Sequence, residues 1–167
     1  MKRWKLVLAA TVVGVAALAI VALTQFPLGA LQEPGRFETM LATKAKHFLV
    51  RRSSREGVPE PPANVPASIE EGDKLFGTEC AACHGLDGHK LTDAGRWMYP
   101  RAAKLTSPEV QRYTDRELFW IIKNGIRLSG MPAFGKVESD EHIWNLVHYV
   151  RTLPLNPSRG SGDTPPQ

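Results

Sequence analysis

The sequence predicts an all-α fold in which one apolar N-terminal helix precedes a small domain of three principal helices. An uncharged apolar run covers residues 6–23, which is typical of a membrane-spanning helix. Serine and threonine capping signals precede three segments with apolar residues at helical spacing. No segment shows a convincing strand pattern. At 167 residues, the chain has room for one compact domain with attachments at its ends.

The N-terminal segment is long enough to cross a bilayer. As a helix, residues 6–23 would cover about 27 Å, close to the ~30 Å of a hydrocarbon core, and Phe26 can extend that length. Three basic residues among the first five predict that the short end stays in the cytoplasm and the rest is exported. A cleaved signal peptide is the alternative, because residues 17–19 read Ala-Leu-Ala. Since the apolar run continues beyond that point, we expect an uncleaved anchor over residues 1–26.

Residues 27–66 predict an amphipathic helix followed by a proline-rich linker. Six apolar residues fall near one helical face between positions 37 and 49: Phe37, Met40, Leu41, Ala45, Phe48 and Leu49. Such a helix either lies on a membrane surface or a partner, or packs on its own domain, and the sequence leaves both open. Residues 53–66 hold four prolines and little apolar content, which predicts an extended, semi-rigid spacer.

The chemistry of the chain is concentrated in Cys80-Ala81-Ala82-Cys83-His84, which contains both of its cysteines. Thiols at i and i+3 reach the two vinyl groups on one porphyrin edge, and the adjacent imidazole faces the iron. A thioredoxin-like redox pair would need a βαβ context, and a zinc site would need a second pair of ligands. Neither is present in the sequence. The motif therefore predicts one covalently attached haem c, held through Cys80 and Cys83, with His84 as an iron ligand.

Three capping signals place the principal helices of the domain. Two of them have a Ser or Thr followed three residues later by Glu, namely Ser68 with Glu71 and Thr114 with Glu117. The third signal is Ser139. The helices that they open are predicted to run into the haem motif, to Asn124-Gly125, and from about Asp140 to Leu153. Residues 156–167, rich in Pro, Gly and Ser, predict a disordered tail.

Further landmarks surround the haem motif. They are Gly72 and Phe76, Cys83-His84-Gly85-Leu86-Asp87-Gly88, Asn124-Gly125, Gly130-Met131-Pro132-Ala133-Phe134 and Tyr149-Val150-Arg151. With these landmarks, residues 67–155 resemble a class I (mitochondrial-type) cytochrome c domain of a bacterial, membrane-anchored cytochrome. The resemblance implies three helices wrapped around one haem c, with Gly72 and Phe76 of the first helix against Leu146 and Tyr149 of the last.

A second axial ligand must come from elsewhere in the chain. The candidates are Met40, Met98, Met131, His47, His89, His142 and His148. Met131 follows Gly130 and precedes Pro132, so it is predicted on a loop that can return to the opposite face of the haem. Together with the resemblance, this placement makes Met131 the expected ligand. Met98, among aromatic residues, is the alternative.

Two more residues are expected at the haem. An iron-ligating imidazole donates its second N–H to a carbonyl. The resemblance points to the neighbourhood of Pro100 for that carbonyl, although any nearby carbonyl would serve equally. Leu105 is expected to line the haem pocket. Since the haem would form part of the core, a residue that lines this pocket is also a core residue.

Ligation by His84 and Met131 would fill both axial positions, which favours one-electron transfer over binding of a substrate at iron. We therefore expect an electron carrier rather than an enzyme, anchored in the cytoplasmic membrane with its haem domain on the periplasmic side. Its partner would be a membrane-bound oxidoreductase or another periplasmic cytochrome. One alternative is a dedicated haem c subunit of a respiratory or photosynthetic membrane complex. Another, if Met131 does not bind iron, is a ligand-binding or peroxidase-like haem enzyme.

The distribution of charge argues against nucleic acid as a partner. The formal charge is +4, but residues 67–155 hold eleven basic and twelve acidic residues, so the excess belongs to the N-terminal third. The domain shows no basic stripe interleaved with aromatic residues.

Overall fold

The computed structural model describes residues 2–25, 29, 31, 33–63 and 65–155, and no strand occurs among them. The all-α prediction is confirmed. The chain divides into two units, residues 1–32 and 33–167. Phe26 and the predicted tail at 156–167 lie outside the described residues.

The first unit contains one helix, α1 (Lys2–Thr24). The most apolar 18-residue window between Arg3 and Thr24 has a mean hydropathy of 2.8, and the side chains of this stretch are exposed within the unit. Within the described part of the chain, this is the one helix long and apolar enough to cross a membrane. A signal sequence has the same length and composition, so α1 is a candidate anchor.

The second unit holds the other helices. They are α2 (Arg36–Ser53), α3 (Val65–Leu75), α4 (Ala81–His84), α5 (Asp93–Trp97), α6 (Pro108–Gln111), α7 (Asp115–Asn124) and α8 (Asp140–Thr152). A π-helical turn, Phe76–Cys80, joins α3 to α4, and short 3-10 turns cover Phe134–Lys136 and Leu153–Leu155. The three predicted principal helices correspond to α3, α7 and α8.

Helices α3 and α8 cross at Gly72. A Cβ on Gly72 would lie 2.0 Å from the carbonyl oxygen of Asn145 and 2.9 Å from the Cβ of Tyr149, so the backbones approach as closely as glycine alone permits. The rings of Phe76 and Tyr149 stand 5.1 Å apart and tilted by 51°. The expected contact of Gly72 and Phe76 with Tyr149 is confirmed, and the nearest backbone at Gly72 is that of Asn145.

The capping box predicted at Ser68 is wrong. Helix α3 begins three residues earlier, at Val65, because Pro66 fits the first turn of a helix without loss of a hydrogen bond. Ser68 is instead buried at the crossing, where its Oγ lies 2.5 Å from Asn145 Oδ1 and 2.8 Å from His148 Nδ1. The Ser68 hydroxyl therefore links two helices rather than beginning one.

The other two capping predictions are confirmed. Thr114 and Glu117 form both hydrogen bonds of a capping box at the start of α7, and the helix ends at Gly125 with a φ of 66°. The Ser139 side chain accepts a hydrogen bond from the His142 N–H at the start of α8. These local signals hold because each requires only residues within one turn of the helix.

Helix α2 packs on the domain that follows it. Val50 is 2% exposed, and the ring of His47 stacks on Tyr113 at 4.4 Å with an interplanar angle of 15°. Lys46 Nζ lies 3.2 Å from a Glu109 carboxylate oxygen. Of the two alternatives that the sequence leaves open, packing on the chain's own domain is what the structure shows. However, the helix does not pack through the six apolar residues predicted to share a face between positions 37 and 49, which are exposed.

The proline-rich segment after α2 is not a free spacer. Val58 is buried in the same core as Val50, and Ser54 is buried beside the end of the helix. Glu60 lies 4.0 Å from Arg116 of α7. The sequence suggested too little apolar content for packing, but one buried valine is enough to hold the segment against the domain.

Candidate haem site

The π-helical turn and α4 bring Cys80, Cys83 and His84 onto adjoining turns. Both cysteines are free thiols. Burial, reinforced by the neighbouring Glu79 carboxylate, raises the pKa of Cys80 to about 12, so that thiol is neutral at physiological pH. Zinc binding and disulfide exchange both require the thiolate. In the described ranges, no cluster of three or more His, Cys, Asp or Glu side chains can hold a metal ion.

The His84 ring is oriented by a backbone carbonyl. His84 Nδ1 lies 2.8 Å from the Ala103 oxygen, and since a carbonyl can only accept, Nδ1 carries the proton. Burial lowers the pKa of His84, and the hydrogen bond to Ala103 opposes this shift only in part. The imidazole is therefore neutral, with the lone pair of Nε2 left for a metal.

The accepting carbonyl belongs to Ala103, three residues after the predicted Pro100. Pro100 itself is exposed. The Ala102 N–H donates to the Gly95 carbonyl at 2.9 Å, which anchors the loop so that the carbonyl of the following residue, Ala103, meets His84. The resemblance directed attention to the neighbourhood of Pro100. In the structure, the hydrogen bond from Ala102 to Gly95 of α5 determines that the Ala103 carbonyl faces His84.

Thr92 and Gly95, which hold α5 against the motif, were missed by the sequence reasoning. The Thr92 hydroxyl donates to the Ala82 carbonyl at 2.6 Å and also accepts the Gly95 N–H that it caps. A Cβ on Gly95 would lie 2.1 Å from the carbonyl oxygen of Cys83, so α5 sits directly on the motif's backbone. Thr92 three residues before Gly95 could have predicted the helix cap that the structure shows. It could not have predicted the contact of α5 with the backbone of the haem motif.

The turn after His84 connects the motif to Leu105. Asp87 Oδ1 accepts the N–H groups of His89 and Lys90, both at 2.8 Å. Burial alone would raise the pKa of Asp87, but these two hydrogen bonds lower it below its usual value. The Leu105 N–H donates to the Gly88 carbonyl at 2.7 Å, and Leu105 packs against the core. The structure thus places Leu105 next to the haem motif.

Met131 lies on an ordered loop after α7. Its N–H donates to Ser129 Oγ at 3.2 Å, and that hydroxyl donates to the Ile126 carbonyl at 2.7 Å. A Cβ on Gly125 would lie 2.8 Å from the Met131 carbonyl oxygen, so the loop folds back onto the end of the helix. Ser129 therefore anchors the backbone of the methionine.

The rival ligand Met98 packs on the same loop. Its Sδ lies 2.6 Å from the position that a Cβ would take on Gly130, so the glycine leaves room for that thioether. Four histidines have neighbours of their own: His47 with Tyr113, His89 with Thr106, His142 with Glu138 and His148 with Ser68. Met40 is exposed on α2. Among the rival candidates, Met98 is the one for which the structure shows a contact with the Met131 loop.

The family described as cytochrome c oxidase, cbb3-type, subunit III matches residues 67–150. That range is half of the chain and contains the motif, the Ala103 loop and Met131. The chain belongs to this family of class I c-type cytochrome domains. Membership implies haem c as the cofactor of the domain.

Relatives of this cytochrome domain occur in proteins of different size. Cytochrome c6 of Thermosynechococcus vestitus is 28% identical over 89 residues, which are 53% of this chain and 73% of that protein. Cytochrome c6 of Gracilaria tenuistipitata var. liui is 26% identical over 84 residues, 50% of this chain and 71% of that protein. The quinohemoprotein alcohol dehydrogenase ADH-IIG of Pseudomonas putida is 32% identical over 98 residues, but this match spans only 12% of that enzyme's length.

The residues of the cytochrome domain fit haem c. Two free thiols lie three positions apart, and a neutral imidazole beside the second has its Nδ1–H already bonded to Ala103. Those groups would hold the porphyrin edge and one axial position of the iron. A thioether on an anchored loop, Met131, is available as a further donor.

Proposed function

We propose that this protein is a membrane-tethered one-electron carrier with a single haem c, attached at Cys80 and Cys83 and ligated by His84 and Met131. The observation that carries the proposal is the neutral His84 ring, fixed by the Ala103 carbonyl beside two free thiols in a class I domain. When bound, haem c supplies a one-electron Fe(III)/Fe(II) couple at relatively positive potential under His/Met ligation.

The protein's contribution is to hold both donors still. Rotation of the His84 ring would break its hydrogen bond to Ala103, and displacement of Met131 would break the hydrogen bonds through Ser129. Donors fixed in this way keep the same geometry in either oxidation state, which suits electron transfer. With His84 and Met131 both holding the iron, a bound haem would have no place left for a substrate.

The proposed tether is α1, with the haem domain on the periplasmic side of the cytoplasmic membrane. Its length and hydropathy support this role. Tethering raises the effective concentration of the domain near membrane-bound partners. We propose a membrane-bound oxidoreductase or another periplasmic cytochrome as the donor or acceptor.

The family match favours a second candidate, a dedicated haem c subunit of one membrane complex, because the family is described as a subunit of an oxidase. The two candidates differ in the lifetime of the assembly. Extraction in mild detergent should leave a free carrier alone on size exclusion, whereas a subunit would elute with its partner chains at constant stoichiometry.

Optical spectra of the full-length protein test the ligand set. Met131→Ala should abolish the weak red band of ferric haem that marks methionine sulfur, and Met98→Ala should retain it. Loss of the band in Met98→Ala alone would make Met98 the ligand. Cys80→Ala and Cys83→Ala should each lose one thioether bond, while the His84 hydrogen bond to Ala103 requires neither thiol.

Carbon monoxide binding tests whether the iron is closed. The reduced wild-type protein should bind it slowly and incompletely, and Met131→Ala should bind it fast, because that variant opens an axial position. Rapid, stoichiometric binding by the wild type would contradict the carrier and favour the ligand-binding or peroxidase-like enzyme.

A further inference from the structure

Helix α2 carries its apolar residues on the side facing away from the domain. We call the six residues Phe37, Met40, Leu41, Ala45, Phe48 and Leu49 the outer face of α2. Phe37 is 72% exposed, Phe48 65% and Leu49 57%, and the other three are also exposed. Large apolar side chains grouped on one helical face mark an interaction site rather than a solvated surface.

The side of α2 opposite the outer face makes the contacts with the domain, so the outer face is not needed for that packing. Val50 is buried, His47 stacks on Tyr113, and Lys46 pairs with Glu109. At 100° per residue these positions point away from Leu41 and Phe48. The domain thus orients α2 and presents its outer face outward.

Basic side chains line the outer face. Lys44 and Arg52 lie one turn before and one turn after Phe48 on the same side of the helix. Within the described part of the chain, neither is paired with a carboxylate, in contrast to Lys46 and Arg51 of the same helix. Long cationic side chains beside an apolar face can extend towards anionic headgroups while their stems stay in the apolar layer.

The segment that connects α1 to α2 is short enough to limit the reach of α2. The eleven residues 25–35 that separate the two helices span at most about 40 Å when fully extended. If α1 spans a bilayer, α2 cannot leave the vicinity of the surface from which α1 emerges. That reach brings an apolar face with cationic side chains within range of a phospholipid surface.

We propose that the outer face of α2 lies in the interface of a membrane containing anionic phospholipid. The inference goes beyond the carrier function and rests on the membrane tether proposed for α1. It gives the haem domain a fixed orientation on the bilayer, because α2 packs on that domain through buried Val50, the stacking of His47 on Tyr113 and the Lys46–Glu109 pair.

Depth measurements on the full chain test this proposal. Phe48→Cys is labelled with a nitroxide and reconstituted in vesicles of phosphatidylcholine with phosphatidylglycerol. Val137→Cys, 74% exposed on the haem domain, is the matched control, and Val12→Cys reports insertion of α1. Wild-type protein, treated in the same way, gives the background from the two native cysteines. Because Phe48 and Val137 are both exposed, neither change should disturb folding.

The proposal expects the Phe48 label to be relaxed more by oxygen than by a water-soluble nickel chelate, with the reverse order at Val137. Lys44→Glu with Arg52→Glu should move the Phe48 label towards water, as should vesicles without phosphatidylglycerol. A water-exposed Phe48 label beside a buried Val12 label would leave the tether standing and overturn this inference. A Phe48 label shielded from both reagents would mean a protein contact and would also overturn it. A water-exposed Val12 label would refute the tether itself.

Discussion

Replacing Gly72 with alanine should destabilise the haem domain, because the crossing of α3 and α8 leaves no room for a side chain. The new Cβ would lie 2.0 Å from the Asn145 carbonyl oxygen, whereas ordinary contact begins at 3.4 Å. The helices must therefore separate by roughly 1.4 Å at this point, the difference between those two distances. The separation also stretches the Ser68 to Asn145 hydrogen bond.

The net cost follows from three contributions. Overpacking costs about 1–3 kcal/mol, and a displacement of this size belongs at the upper end. The weakened hydrogen bond adds about 1 kcal/mol, and the better helix propensity of alanine returns about 1 kcal/mol. We expect the free energy of unfolding to fall by about 2–3 kcal/mol.

Urea unfolding followed by circular dichroism measures this loss. With a slope of about 1–3 kcal/mol per molar urea, the midpoint should drop by about 1–3 M. Gly77→Ala is the matched control, since Gly77 is exposed in the π-helical turn and has no atom within 4 Å of its Cβ position. It should be neutral or slightly stabilising.

The reasoning fails if Gly72→Ala unfolds at the wild-type midpoint, since the helices would then tolerate the side chain. It fails equally if Gly77→Ala loses as much stability, because the effect would then belong to glycine replacement in general and not to the crossing.

Three further predictions concern the second unit. Thr114→Ala should cost about 1 kcal/mol in the same assay because the α7 cap is lost, while Arg51→Ala, whose side chain is 76% exposed, should cost much less; equal losses would contradict the capping argument. Tyr113→Phe should be neutral or raise stability by about 1 kcal/mol, because the buried hydroxyl has no hydrogen-bond partner among the described residues; a loss above that size would show that the hydroxyl is satisfied. Folding lowers the pKa of Asp87, so its carboxylate stabilises the fold above its unfolded pKa of about 3.9, and this stabilisation disappears as the pH falls through the folded value. Asp87→Asn should therefore lose less stability than the wild type below about pH 4 in acid unfolding. An unchanged acid profile would refute the assignment.

Local sequence signals predicted the helices well where the interacting residues are neighbours in the chain. The Thr114 and Ser139 caps and the Gly125 stop are each made within one turn, and all three are present. Ser68 shows the limit of such signals. It has the sequence of a cap, but its partners, Asn145 and His148, lie on α8 and are far away in the chain.

The amphipathic pattern of residues 37–49 shows a second limit. Periodicity identified a helix with an apolar face, and the helix exists as α2. It did not reveal that the domain would be contacted by the other side, through Val50 and His47. A hydrophobic stripe indicates a face that avoids water, but it does not identify what covers that face.

The sequence by itself determined the cofactor chemistry expected of this protein. Two thiols three apart with a histidine beside the second, an apolar N-terminal run, and the two helices capped by Thr114 and Ser139 are properties of residue type and spacing, which a chain carries unfolded. Tertiary structure alone decided that Ala103 and not Pro100 orients His84, that Ser129 anchors Met131, and that α2 turns its apolar face outward. Each of these depends on which distant segments meet, and the spacing of residues along the chain does not contain that information.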